Sequence, residues 1–194
     1  MKIRTFIPGA ICISGFAAYA QEASTSVAEV GFNYSYTRFN PGGNLNSYNA
    51  NGGSGYVEYN LNRVVGLVAD LGANNVGTVN GVSLNNTTFT YLFGPRFNWR
   101  MSRFTPYVQT LVGGARFSNA YDPASPTPVS GGTVNSFAAA IGGGVDVRLT
   151  NHIALKPIQV EYLMTQLPSE FANVNQVQNN LRYSAGVVFR FGSK

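Results

Sequence analysis

His152 is the only histidine of this chain and Cys12 its only cysteine. A triad hydrolase needs an imidazole held between a hydroxyl and a carboxylate, and the neighbourhood Thr150-Asn151-His152-Ile153 offers a turn and no acid. The pattern predicts a turn histidine without a catalytic role. Serine and threonine are plentiful, but no group is placed to activate them. Scattered Asp and Glu beside a single His match no metal-ligand spacing. The stretch Asn51-Gly52-Gly53-Ser54-Gly55 could suggest a phosphate cradle. It lacks the lysine and the strand-to-helix context of such loops, so it reads as the flexible start of a strand. No metal, no cofactor and no enzymatic activity are expected.

The remaining chemistry is ionic. Glu29, Glu58, Asp70, Asp146 and Glu161 recur at positions that alternate with apolar residues, and so do Arg96, Arg100, Arg148, Lys156, Arg182 and Arg190. A period of two places successive side chains on opposite faces of a strand, so these charges are expected to share one face. That face must then be a set of mutually neutralising pairs, because a buried charge without a partner costs several kcal/mol.

Eight segments carry the alternation. The clearest sets Phe89, Tyr91, Phe93, Pro95, Phe97 and Trp99 against Thr88, Thr90, Leu92, Gly94, Arg96, Asn98 and Arg100. Leu181, Tyr183, Ala185, Val187, Phe189 and Phe191 likewise alternate with Arg182, Ser184, Gly186, Val188 and Arg190. Shorter repeats begin near Glu29, Tyr56, Val65 and Phe137, and the segment from Phe104 to Phe117 is assigned with Pro106, Val108 and Val112 outward. Between Leu155 and Ile158 the apolar parity changes, which predicts a bulge near Lys156–Pro157.

Composition narrows the class. The sequence has 194 residues, 13 bases and 8 acids, with only 11% charged residues. Lys2 and Arg4 precede the uncharged stretch Phe6–Ala20, and Ala18 and Ala20 give a small-residue cleavage pattern, so residues 1–20 read as a signal peptide. The remaining 174 residues form one expected domain over 21–194 and carry 11 − 8 = +3 charges, too few and too dispersed for nucleic acid. No apolar run of 18 residues follows the leader, so no transmembrane helix is expected.

A secreted chain with few charges and many aromatics fits an all-β, eight-stranded antiparallel up-and-down transmembrane barrel, whose apolar residues are diluted by alternation. Short connections near Asn62, Ser102 and Asn151 alternate with long polar ones at 40–49, 74–86, 118–134 and 165–179. In such a barrel the termini and short turns lie on the periplasmic side. A soluble ligand-holding barrel contains the same alternation turned inside out. Aromatics toward strand ends, and Gly66, Gly94, Gly142, Gly144 and Gly186 on the charged face, favour the membrane form.

The terminal motif Ser184-x-Gly186-x-x-Phe189-x-Phe191 resembles the signal by which the assembly machinery recognises outer-membrane barrels, with Gly192, Ser193 and Lys194 after the last aromatic. From about Gly31 to Phe191 the chain is similar to the OmpA-like outer-membrane barrel domain. Thr105-Pro106-Tyr107-Val108, Gly113-Gly114-Ala115 and Gly142-Gly143-Gly144-Val145-Asp146 carry that resemblance. It implies the outer membrane as location, with lipid, lipopolysaccharide and the assembly machinery as partners. No peptidoglycan-binding domain is expected after the barrel.

An eight-stranded barrel is filled by its own side chains, so an ion-paired plug is expected, with contacts Glu161–Arg182 and Glu29–Arg190. Arg38, outward at the far end of the first strand, is a candidate for lipopolysaccharide phosphate, although a rim arginine also snorkels. The loops, including Asp122–Pro128 and the run from Pro168 and Glu170 to Asn180, are where a surface ligand would bind. The expected role is structural or surface interaction, with a narrow porin as the alternative.

Overall fold

The computed structural model describes residues 25–40, 47–79, 82–118, 133–167 and 176–193. The leader 1–20 with Cys12, the proline-rich stretch 122–128, and Pro168 and Glu170 lie outside them. Eight strands follow in order: β1 (Ala28–Phe39), β2 (Tyr48–Asn60), β3 (Val65–Val79), β4 (Val82–Asn98), β5 (Phe104–Ser118), β6 (Thr133–Arg148), β7 (Ile153–Leu167) and β8 (Gln176–Phe191). Each pairs antiparallel with the next, and β8 returns to β1 to close the barrel. Closure leaves no strand edge to seek a partner within the barrel wall below the β3–β4 hairpin arms.

Alternation decides which side of the wall each residue occupies. Phe32, Tyr34 and Leu71 stand outward with 60%, 62% and 61% of their surface exposed, whereas Glu58, Arg96 and Glu161 are buried inside. A wall that shows aromatics to its surroundings and hides its charges is the reverse of a soluble barrel. Only a hydrocarbon medium makes that arrangement favourable. On β5, Val108 and Val112 are exposed and Pro106 is half-buried, so the outward assignment holds there too.

Near the loop end the outward face turns polar on every strand: Arg38, Asn51, Asn75, Thr87, Arg116, Asn135, Gln166 and Asn179. Tyr34 donates to Asn51 at 2.8 Å and Asn75 to Thr87 at 3.1 Å along this girdle. At the turn end Trp99, Met101, Phe104, Leu149 and Phe191 are exposed, the aromatic-rich border expected of a membrane interface.

The expected bulge is present. The β7–β8 register shifts between Lys156 and Gln159, and the β6–β7 register between Val145 and Val147. Pro157 has no N–H to give to a ladder, and the extra residue returns Gln159 and Glu161 to the inner face.

One connection differs from the sequence reading. Residues 74–86 are not a long loop: β3 runs to Val79 and β4 starts at Val82, with Asn75 opposite Thr87 and Val79 opposite Val82. These arms extend past the girdle, beyond the pairing with β2 and β5, and their Asn- and Gly-rich sequence reads as a loop. The signal available was Asn80-Gly81, the dipeptide most favoured between two hairpin strands. The glycine-rich stretch 51–55 likewise lies inside β2 and is not its flexible start.

Candidate functional site: the lumen and the wall around it

Backbone register brings the inward charges together. On the closing seam Glu29 stands opposite Arg190, and on β7–β8 Glu161 stands opposite Arg182. The Arg182 guanidinium reaches Glu161 at 2.7 Å and Asp70, on the far side of the lumen, at 3.2 Å. Arg96 on β4 pairs with Glu58 on β2 at 2.8 Å. Glu29 accepts from Arg100 at 2.8 Å and from Ser26 at 2.6 Å, with Arg190 at 3.5 Å. All of these side chains are almost fully buried, so each charge depends on its partner for solvation.

Gln109 joins the pairs into one chain. Its amide oxygen accepts from Arg96 Nε at 2.8 Å and its amide nitrogen donates to Glu161 at 2.7 Å. With Asn98 donating to Glu58 at 2.6 Å, a continuous path runs Asn98–Glu58–Arg96–Gln109–Glu161–Arg182–Asp70. It crosses the interior from β4 through β2, β5, β7 and β8 to β3. Sequence reasoning missed Gln109: the outward assignment of Val108 places it on the inner face, but an uncharged amide does not appear among the ionic groups.

Three of the expected network members have no ion-pair partner among the described residues. Lys156, 1% exposed, donates to Gln159 at 3.0 Å and lies 4.0 Å from the Tyr56 ring centre and 5.0 Å from that of Tyr107. Arg96 lies over the same two rings at 4.6 and 4.3 Å. Two cations therefore share two aromatic faces, an attraction of about 2 kcal/mol or more when desolvated. Tyr107 also donates to Gln159 at 2.6 Å. Asp146 is buried with Oδ1 lacking a hydrogen bond; Lys156 and Arg96 act on it through space. Arg148 is half-buried at the turn-end mouth.

Above the charged layer the lumen carries no charge among the described residues. Ser35 donates to Asn74 at 2.9 Å, Asn33 to Ser54 at 3.2 Å and Asn180 to Thr165 at 3.3 Å. Beside these lies an apolar cluster that includes Leu92, Leu111, Ala115, Phe117, Ala138 and Leu163. The interior is thus not polar throughout, as the sequence had suggested. Inward leucines and alanines of β4–β7 pack where no charge needs a partner.

His152 is exposed; its N–H donates to Thr150 Oγ1 at 3.2 Å and its carbonyl accepts from Arg190 at 2.8 Å. Among the described residues no three His, Cys, Asp or Glu side chains cluster as metal ligands. On the last strand, Ser184 and Gly186 face inward and Phe189 and Phe191 outward, the latter pair opposite Val30 and Ala28. The Phe189 ring meets Phe32 edge-on at 6.4 Å. A Cβ at Gly186 would run into the Phe32 carbonyl, so glycine lets β8 approach β1 there.

Comparison with known proteins agrees with this architecture. The family model for the outer membrane protein β-barrel domain matches residues 9–191. Among solved structures, Neisserial surface protein A (NspA) aligns with a TM-score of 0.68 at 14% identity, covering 86% of this chain and 98% of that one. Ail, the attachment invasion locus protein of Yersinia pestis, in complex with the heparin analogue sucrose octasulfate, gives 0.54 at 15% identity, covering 84% and 97%. The outer membrane protein OprG of Pseudomonas aeruginosa gives 0.51 at 10%, covering 88% and 99%. No curated protein matches the sequence. A closed eight-stranded barrel, with charges inside, aromatics outside and a family match over nearly its whole length, belongs to the outer membrane protein β-barrel domain family of the bacterial outer membrane.

Proposed function

We propose that this barrel is a sealed structural element of the outer membrane that presents its long loops at the cell surface, with turns and termini in the periplasm. Its role on this reading is membrane integrity or surface interaction, without enzymatic chemistry. The observation that carries it is the path from Glu58 through Arg96, Gln109, Glu161 and Arg182 to Asp70, whose links are 2.7–3.2 Å long and span the interior. An ion would have to break several charge-assisted bonds to pass, each worth about 1.5–3 kcal/mol. The Ser184, Gly186, Phe189 and Phe191 motif serves as the assembly signal, supported by its place on the strand that closes the barrel. Ail, a structural neighbour, was crystallised with a sulfated heparin analogue. That supports surface ligands as partners at the loops here.

Single-channel recording in planar bilayers tests the seal. Wild-type protein should give no resolved conductance steps, and Arg182→Ala, which removes the bulkiest link of the path, should give them. Steady steps from wild type would favour the narrow porin. One feature leans toward that second reading: Asp146 Oδ1, Arg100 Nε and Arg190 Nη2, on the turn side of the plug, are buried without a hydrogen-bond partner among the described residues.

A further inference from the structure

The outward face of β2 carries glycine at two successive positions, Gly53 and Gly55, where the other strands carry mostly large apolar side chains. Neither is required by the backbone. The described glycine with positive φ is Gly192. A Cβ at Gly55 would sit 3.7 Å from the Phe32 ring, ordinary contact, and one at Gly53 would meet only the Asn33 carbonyl at 3.3 Å. By contrast, a Cβ at Gly52 or Gly186 would collide with a neighbouring strand's backbone. Packing explains those two, is tight at Gly53 and leaves Gly55 unexplained.

What they produce is a groove of about 610 Å³ in the outer wall, open to the surroundings. Register places Phe32 and Tyr34 along one side, with Leu71, Phe89 and Tyr91 along the other. The girdle closes its upper end: Asn51 is the next outward residue above Gly53 on β2, and Thr87 the next above Phe89 on β4. The two charges on the outward strand faces among the described residues, Arg38 and Arg116, stand beyond its two sides. Arg38 lies past Tyr36 on the outward row of Phe32 and Tyr34, opposite Asn49, and Arg116 stands directly opposite Phe89. Both are exposed, and neither has an ion-pair partner among the described residues. An apolar channel beneath a polar step and between two unneutralised arginines matches an amphiphile with an anionic head and a long tail.

We propose that this groove is a binding site for a phosphorylated glycolipid of the outer leaflet, one acyl chain lying over Gly53 and Gly55 and the phosphates meeting Arg38 and Arg116. The inference rests on the orientation proposed above, which puts the girdle at the outer leaflet. Aromatic walls bury the chain and glycine makes room for it, while guanidinium groups suit phosphate geometry.

Native mass spectrometry of the whole mature barrel, released from detergent micelles after titration with diphosphoryl lipid A, tests this. Gly55→Leu, which the local space admits, should fill the groove and weaken binding about tenfold. Arg116→Gln and Arg38→Gln should each weaken it about fivefold, and only for the phosphorylated lipid. Ala139→Leu, outward on β6, serves as the wall control and should leave binding unchanged. The heat-dependent gel shift verifies that each variant is folded. Equal affinities for wild type, Gly55→Leu and Ala139→Leu would overturn the site; equal binding of dephosphorylated lipid would overturn its headgroup half. Protease cleavage on intact cells, at a site engineered into residues 119–132, reads orientation separately. A failed titration with surface-exposed loops therefore counts against the groove alone.

Discussion

Toward the turn end the lumen holds Glu29, Glu58, Arg96, Arg100, Asp146, Lys156 and Arg190, with Asp70, Glu161 and Arg182 above them. Toward the loop end the same strands contribute Ser35, Thr37, Asn74, Thr88, Leu111, Phe117 and Thr165, and no charge among the described residues. One half is organised by electrostatics, the other by hydroxyl–amide bonds and close packing. The contrast shows what each is good for. Charge pairs reach across the whole lumen, as Arg182 does to Asp70, and so fix which strands face each other. Short polar and apolar side chains bind only near neighbours, fill space and tolerate change. Buried ion pairs are weak evidence for stability in themselves, but a wrong pairing is heavily penalised. The charged layer therefore specifies the barrel's register more than it strengthens it.

The sharpest way to break this contrast is Arg182→Met. It strands Glu161 and Asp70 in the lumen together, and the loss should be about 3–5 kcal/mol, read as a lower urea midpoint for the barrel folded in lipid vesicles. Replacing Asp70, Glu161 and Arg182 together by apolar residues of similar volume should recover most of that stability, because no uncompensated charge remains. If the triple variant unfolds as readily as the single one, the charges are contributing strength and not specificity. In the neutral half, Ser35→Ala removes one donor to Asn74 and should cost only about 1 kcal/mol by the same measurement. A loss there comparable to Arg182→Met would erase the distinction.

The sequence carried the wall better than its contents. Which residues of β4, β6 and β8 face outward was legible because alternation has a period of two and each face meets a different medium. The shift at Pro157 was legible for the same reason, since the parity of Ile158 contradicts that of Leu155. The β3–β4 arms were not, because above the girdle these strands pair only with each other and their Asn- and Gly-rich sequence reads as a loop. The partners of Lys156 and Asp146 were hidden for another reason: pairing depends on height and side-chain reach across the lumen. Two tyrosines, invisible as counter-charges in a census of acids and bases, take that place beside Lys156. Gln109 is equally hard to foresee, since a lone amide carries no signal until Arg96 and Glu161 lie on either side of it.

The pairing of β1 with β8 matters for how the molecule is made. Eleven positions, from Ala28 opposite Phe191 to Arg38 opposite Leu181, join residues up to 191 − 28 = 163 places apart in the chain. Contacts of such separation carry the largest loop-closure cost and form slowly. Until they form, β1 and β8 each present a bare ladder of N–H and C=O groups, a template for any strand nearby. β8 is therefore the strand that removes the hazard, and a copy truncated before it would bear two open edges, on β1 and β7, by which a protease or chaperone could tell it from a finished one.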